Sequence, residues 1–113
     1  MAIRYTSSFN ETIPFSDVCA QIHLTTDTAE TWTVPGTSDQ KFVLTFGLPS
    51  TANVFVGYNV TATYPSANTV TTTGKIEFIT PDMQRYAIGG DVLSLKSPDA
   101  DAYIGISVRS IPN

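Results

Sequence analysis

The strongest signal in the chain is a period-two alternation of apolar and polar positions. From Val54 to Tyr64 the even positions are apolar or aromatic, and most odd positions are small or polar. Alternation sustained over this length predicts a β-strand that packs one face on a core and exposes the other to solvent. An α-helix with the same pattern would scatter its apolar side chains around the whole cylinder.

Shorter segments repeat this pattern and are separated by turn signals. The predicted strands are 21–26, 30–34, 41–47, 75–80, 85–88, 92–96 and 102–109. Strand 41–47 places Phe42, Leu44 and Phe46 on one face, and strand 102–109 places Ala102, Ile104, Ile106 and Val108 on one face. Gly89-Gly90-Asp91 predicts a tight hairpin between its two flanking strands, because glycine supplies positive φ angles.

The spacing of these segments predicts the fold class. About eight short strands with turns every 8 to 12 residues or so are typical of an all-β antiparallel β-sandwich. A jelly-roll-like arrangement accommodates eight strands in a chain of this length. An immunoglobulin-like sandwich is the alternative, although its Cys-Trp-Cys signature is absent. Residues 1–18 are predicted to be an N-terminal arm or edge strand, and residues 19–113 a single β-sandwich domain.

Composition supports a sheet protein and narrows its partners. Charged residues make up only 14% of the 113 residues, and the chain carries 27 serines and threonines. Its net charge is −4 and its six Lys and Arg residues are scattered, so we expect no nucleic-acid or membrane partner. A single cysteine excludes an intrachain disulfide. With no signal-peptide pattern, we expect synthesis in a cytoplasm.

Candidate catalytic and metal-binding residues are few. His23 is the only histidine, and Cys19 precedes it by four residues. On a strand these two side chains would share a face about 13 Å apart, too far for a nucleophile–base pair. Asp99 and Asp101 could offer oxygen ligands to Ca²⁺, but aspartate in turns usually bonds its own backbone. We therefore expect no enzyme activity and no cofactor.

Aromatic residues raise the alternative of carbohydrate binding. A sugar-stacking platform could draw on aromatic rings; the candidates are Trp32, Tyr58, Tyr64, Tyr86 and Tyr103. Tyr58 and Tyr64, however, share the inward parity of the 54–64 segment, so the pattern favours a core role for them.

Several apolar residues have no place on the predicted core face. Val43 and Phe55 have the opposite parity to the core residues of their strands. Together with Phe9, Ile13 and Phe15 of the arm they are the predicted interface residues. The alternative is that loops or the arm itself cover Val43 and Phe55.

One stretch of the chain resembles a known class of protein. The sequence Thr31-Trp32-Thr33-Val34-Pro35-Gly36, followed by Phe42-Val43-Leu44-Thr45-Phe46, resembles small structural proteins of tailed-bacteriophage virions. The Thr- and Ser-rich sheets and the apolar N-terminal segment resemble jelly-roll decoration (cement) proteins of their capsids.

The resemblance implies a function and a location. It implies binding to the major capsid protein on the outer capsid surface of the virion, with self-association as a dimer or trimer. The protein would be made in the host cytoplasm. The resemblance assigns no catalytic residues to this chain. A carbohydrate- or receptor-binding module of a phage fibre or secreted enzyme is the alternative.

Overall fold

The fold is all-β, as predicted from the alternation. The structure is a computed structural model that describes residues 18–72 and 74–111. Within these ranges there are eight strands and no helix, and hence no helix that could cross a membrane. The strands are β1 (Val18–Thr25), β2 (Glu30–Thr33), β3 (Lys41–Gly47), β4 (Phe55–Tyr58), β5 (Ile76–Phe78), β6 (Gln84–Ile88), β7 (Val92–Lys96) and β8 (Asp101–Ile111).

The strands form two four-stranded antiparallel sheets. Sheet I has the order β1-β8-β3-β6 and sheet II the order β2-β7-β4-β5. The first strand pairs with the last, the second with the seventh, the third with the sixth and the fourth with the fifth. This nested pairing of distant strands is the jelly-roll arrangement of a β-sandwich.

The core lies between the inward faces of the two sheets. In β3 and β8 the alternate residues predicted to face inward are all buried. The other members of the core come from both sheets and the loops between them: Leu24, Val34, Val54, Val56, Ile79, Ala87, Leu93 and Leu95. Burying these aliphatic side chains is the main favourable term in forming the sandwich.

The predicted long strand from Val54 to Tyr64 is wrong in its second half. The β4 ladder ends at Tyr58, and Asn59 takes a positive φ of 57°, which turns the chain out of the sheet. Residues 60–64 then return across the outer face of sheet II. Ala62 is buried against that outer face. Val60, which was predicted to face inward, is exposed.

The predicted hairpin at Gly89-Gly90-Asp91 is also wrong. β6 belongs to sheet I and β7 to sheet II, so the turn between them crosses from one sheet to the other. Gly90 does adopt a positive φ, of 92°. Gly89 instead packs so closely on the Gly36–Thr37 backbone that a Cβ atom would collide with it.

Residues 1–17 of the predicted arm lie outside the described residues. Phe9, Ile13 and Phe15 all fall in this segment, so their predicted interface role stays a prediction. Val18, the last residue of the predicted arm, is the first residue of β1 and pairs with Val108.

Candidate interaction surface

The outer face of sheet I is the candidate functional site. The strand registers place its outward side chains in rows across four strands. They are Cys19, Gln21, His23 and Thr25 of β1, Asp101, Tyr103, Gly105, Ser107, Arg109 and Ile111 of β8, Lys41, Val43, Thr45 and Gly47 of β3, and Gln84, Tyr86 and Ile88 of β6. Uncharged side chains fill the middle of this surface, and the charged ones stand toward its ends.

One end of this surface carries a compact polar and aromatic cluster. The rings of His23 and Tyr103 stack with centroids 4.6 Å apart and planes inclined by 16°. His23 Nε2 and Asp101 Oδ1 are 2.7 Å apart, and both side chains are largely exposed. Gln21, His23, Tyr103 and Gly105 line a shallow depression of about 410 Å³ beside this stack. Tyr103 is 63% exposed, so its hydroxyl and part of its ring are open to a partner.

The other end of the surface combines apolar side chains with the charged Lys41 and Arg109. Val43 lies between Tyr86 and Arg109 in the sheet, and Lys41 lies between Ile88 and Ile111. Tyr86 is 79% exposed, and Ile88 is also exposed. Aromatic and arginine side chains of this kind are enriched in protein interfaces.

Small residues flatten the surface between its two ends. Gly47 of β3 lies directly opposite Gly105 of β8, so no side chain projects from either strand at this point. A Cβ atom added at Gly105 would meet no neighbour within 4 Å. Packing within the protein does not require glycine at this position, and the resulting flat floor suits close approach by a partner's backbone.

Part of the outer face of sheet II is covered by the chain itself. The Ala62 amide donates a 2.9 Å hydrogen bond to Ser94 Oγ, which lies on this face. Gly57 permits the coverage because a Cβ atom there would collide with the Val60 carbonyl. Residues 60–64 therefore cover the part of this face around Gly57 and Ser94, whereas Phe78 and Val92 of the same face stay exposed.

The two described interface candidates do not share a surface. Val43 lies half-buried on the outer face of sheet I, whereas Phe55 lies on the outer face of sheet II. Phe55 packs against Tyr64 and Phe78, with ring centroids 5.6 and 5.1 Å away. Tyr64 therefore lies outside the core, contrary to the inward position that its parity predicted. Phe55 is covered mainly by its own chain, and Val43 remains part of the candidate surface.

A polar network fixes the turn between β6 and β7. Asp91 is buried and accepts hydrogen bonds from Tyr58 Oη (2.6 Å), the Ile88 amide (2.9 Å) and Asn59 Nδ2 (3.3 Å). Burial opposes the charge of Asp91, but these hydrogen bonds and the nearby Lys75 outweigh it and lower its pKa. The hydrogen bond to Asp91, with burial and the Asp91 charge, raises the pKa of Tyr58.

A narrow cleft opens between the sheets where the edge strands β5 and β6 face each other. Its volume is about 240 Å³, and core residues such as Leu44, Val56 and Leu93 form its floor. Arg85 of β6 and Glu77 of β5 form an ion pair across its mouth. Sequence reasoning missed this pair, although one signal was present: Arg85 has the same parity as the buried Ala87.

The catalytic candidates Cys19 and His23 both lie on β1. Within 18–72 and 74–111, no three His, Cys, Asp or Glu side chains come together as metal ligands do. Cys19 and His23 occur on one face of β1, as predicted, and His23 pairs with Asp101 instead. Trp32, a predicted sugar-stacking candidate, packs against the core and does not reach the outer face of sheet I.

Comparisons with known proteins add no family assignment. No family model, no curated protein and no solved structure matches this chain.

Proposed function

We propose that this protein is a structural protein of a bacteriophage virion that attaches to the capsid through the outer face of sheet I. One observation carries the proposal. That face is open, has few charges and presents Tyr86 and Tyr103, whereas residues 60–64 cover part of the corresponding face of sheet II. Burial of exposed aromatic side chains is the usual energetic centre of a protein interface.

The fold supports the same proposal. Jelly-roll sandwiches are the common architecture of viral capsid domains and of lectins. A rigid sheet also holds its surface side chains in place before binding, which lowers the entropic cost of association. The phage setting itself comes from the sequence resemblance and remains part of the proposal.

Co-sedimentation tests the proposal directly. Where a major capsid protein is encoded beside this chain's gene, heads would be assembled from it and mixed with increasing amounts of the chain. We expect saturable binding at a fixed number of copies per head. Absence of co-sedimentation at any concentration would refute capsid attachment.

Matched variants test whether sheet I is the attachment face. Tyr86→Ser and Tyr103→Ser together should weaken binding by about a hundredfold, which corresponds to about 3 kcal/mol. Val70→Ser is the control, because Val70 is 94% exposed and lies outside both sheets. The control should bind like the wild type. Equal weakening by both variants would show that the face is not the binding site.

The stack of His23 and Tyr103 favours carbohydrate binding as a second candidate. A stacked aromatic ring beside Gln21 and Asp101 combines an apolar plate with hydrogen-bonding groups, as sugar sites do. A glycan array distinguishes the two functions. Saturable binding to one glycan that is lost in Tyr103→Ala, without binding to heads, would favour the second.

A further inference from the structure

The four edges of the sandwich differ in how they are protected from pairing with another strand. An exposed edge carries unpaired backbone N–H and C=O groups, and natural proteins protect it with short strands, charges or bulges. β2 has only four residues and begins with Glu30, and β5 has only three and contains Glu77. β6 contains Arg85, and the Asp91 carboxylate binds the amide of its last residue, Ile88.

β1 has none of these protective features. It runs for eight residues with the sequence Val-Cys-Ala-Gln-Ile-His-Leu-Thr, which contains no proline, lysine, arginine, aspartate or glutamate. It stands at the edge of sheet I and pairs only with β8 among the described strands. Among the described residues no strand occupies its outer edge, so β1 offers a long, uncharged template for another strand.

The inward side chains of β1 are also incompletely covered. Leu24 is fully buried, but Ala20 and Ile22 are only partly buried and Val18 is 42% exposed. The edge strand β2 of sheet II has only four residues, against eight in β1. A strand added to β1 would bring its own apolar side chains against this uncovered row.

We propose that two copies of this chain dimerise by pairing their β1 strands antiparallel across a two-fold axis. An axis perpendicular to sheet I keeps the outer faces of both copies on one side. A register centred on Gln21 places Val18 opposite Leu24 of the second copy and Ala20 opposite Ile22, so apolar side chains meet on the inner face. It is also the register that covers Val18, the most exposed of these residues.

The inner row of β1 favours a second copy as the occupant. Val18, Ala20, Ile22 and Leu24 are all apolar, so the same row on a second β1 is complementary to it in the antiparallel register. Pairing through β1 also joins the outer faces of the two four-stranded sheets into one continuous surface.

The proposal deepens the function proposed above, but its test requires no capsid. Sedimentation equilibrium of the full chain should show a reversible monomer–dimer equilibrium. Gln21→Lys places two lysines opposite each other in the dimer and should raise its dissociation constant about fivefold, less at high salt. Gln84→Lys makes the same change at an exposed position of β6, the opposite edge of the sheet, and should leave the constant unchanged.

Disulfide trapping tests the register. In a Cys19→Ser background, Gln21→Cys should cross-link into a covalent dimer under mild oxidation, whereas Gln84→Cys should not. A full chain that is monomeric at every concentration would overturn the proposal. Equal effects of the two lysine variants, or cross-linking through position 84 alone, would also overturn it. Capsid binding by a strict monomer would leave the proposed function intact and remove only the dimer.

Discussion

Arg85 and Glu77 join the two sheets at the open side of the sandwich. Arg85 Nε lies 2.8 Å from Glu77 Oε2, and Arg85 Nη2 lies 2.5 Å from Glu77 Oε1. Arg85 pairs with Leu44 and Glu77 pairs with Val56, so both charged side chains occupy inward positions of edge strands. Inward charges on edge strands resist pairing with other chains, and we infer that this pair serves that purpose.

Replacing both charged residues by valine tests the effects of the ion pair on stability and on solubility separately. We expect the double variant Glu77→Val with Arg85→Val to unfold at the same or a higher temperature, because a half-exposed ion pair contributes little to stability and valine favours the strand conformation. The variant should aggregate at lower concentrations than the wild type. Thermal denaturation and light scattering measure the two effects, and a variant that is both stable and fully soluble would contradict the protective role.

The same ion pair should make the free energy of unfolding decrease at acidic pH. Hydrogen bonds from Arg85, with its charge, lower the pKa of Glu77 despite the opposing effect of burial. A lowered pKa in the folded state adds stability above the unfolded-state pKa, and this stability is lost as the pH falls through the folded value. Glu77→Gln should therefore reduce the loss of stability on acidification, as measured by urea unfolding between about pH 5 and pH 2.

Asp91 should be the most costly carboxylate to remove. Asp91→Ala leaves the Ile88 amide and the Tyr58 hydroxyl without their acceptor, which should lower the free energy of unfolding by about 2 kcal/mol. Glu30→Ala, which removes an exposed carboxylate, should change it by less than about 0.5 kcal/mol. Equal losses in the two variants, measured by urea denaturation, would show that the network contributes nothing.

Asp91 and Tyr58 should also make the stability of the protein depend on pH in opposite directions, Asp91 at acidic pH and Tyr58 at alkaline pH. Because the pKa of Asp91 is lowered, its contribution is present above the ordinary aspartate range and is lost as the pH falls. Because the pKa of Tyr58 is raised, its contribution is present below the ordinary tyrosine pKa and is lost as the pH rises through the raised value. Tyr58→Phe should remove the alkaline dependence, and unfolding curves above pH 9 or so would show it.

Two glycines provide a test of the covered face of sheet II. Gly57→Ala forces a Cβ atom against the Val60 carbonyl and should destabilise the protein by about 2 kcal/mol. Gly105→Ala meets open space and should leave stability within about 0.5 kcal/mol. If Gly57→Ala is as stable as Gly105→Ala, then residues 60–64 do not lie against sheet II in solution.

Local alternation predicted the strands better than it predicted their partners. β3 and β7 begin and end at the predicted residues because their alternation is uninterrupted and turn residues bound them. The strand prediction for residues 54–64 was wrong in its second half because a segment that packs on the outside of a sheet can alternate apolar and polar residues just as a strand does. Only the positive φ at Asn59, where asparagine is tolerated, marks the end of the ladder.

The candidate surface was only partly predictable. Parity placed Val43 and Phe55 away from the core, but it does not reveal which sheet a strand joins, and that depends on pairing between distant strands. Tyr86 and Tyr103 drew attention as aromatic residues, yet their shared face follows only from the β3–β6 and β3–β8 registers. The Glu77–Arg85 pair could not be predicted for the same reason, because it too depends on how distant strands are arranged.

The arm predicted from the sequence can be tested separately from the dimer. Deleting residues 1–15 removes Phe9, Ile13 and Phe15 and leaves β1 complete. We expect the shortened chain to stay folded and to keep its β1 dimer, while its attachment to heads weakens. Sedimentation and head binding measured on the same preparation would show this, and unchanged attachment would remove the arm from the proposed interface.

Electron cryomicroscopy of heads saturated with the chain tests the attachment surface most directly. We expect the outer face of sheet I, with Tyr86 and Tyr103, to lie against the capsid surface. A bound chain that contacts the capsid through sheet II or residues 60–64, with Tyr86 and Tyr103 facing solvent, would contradict it.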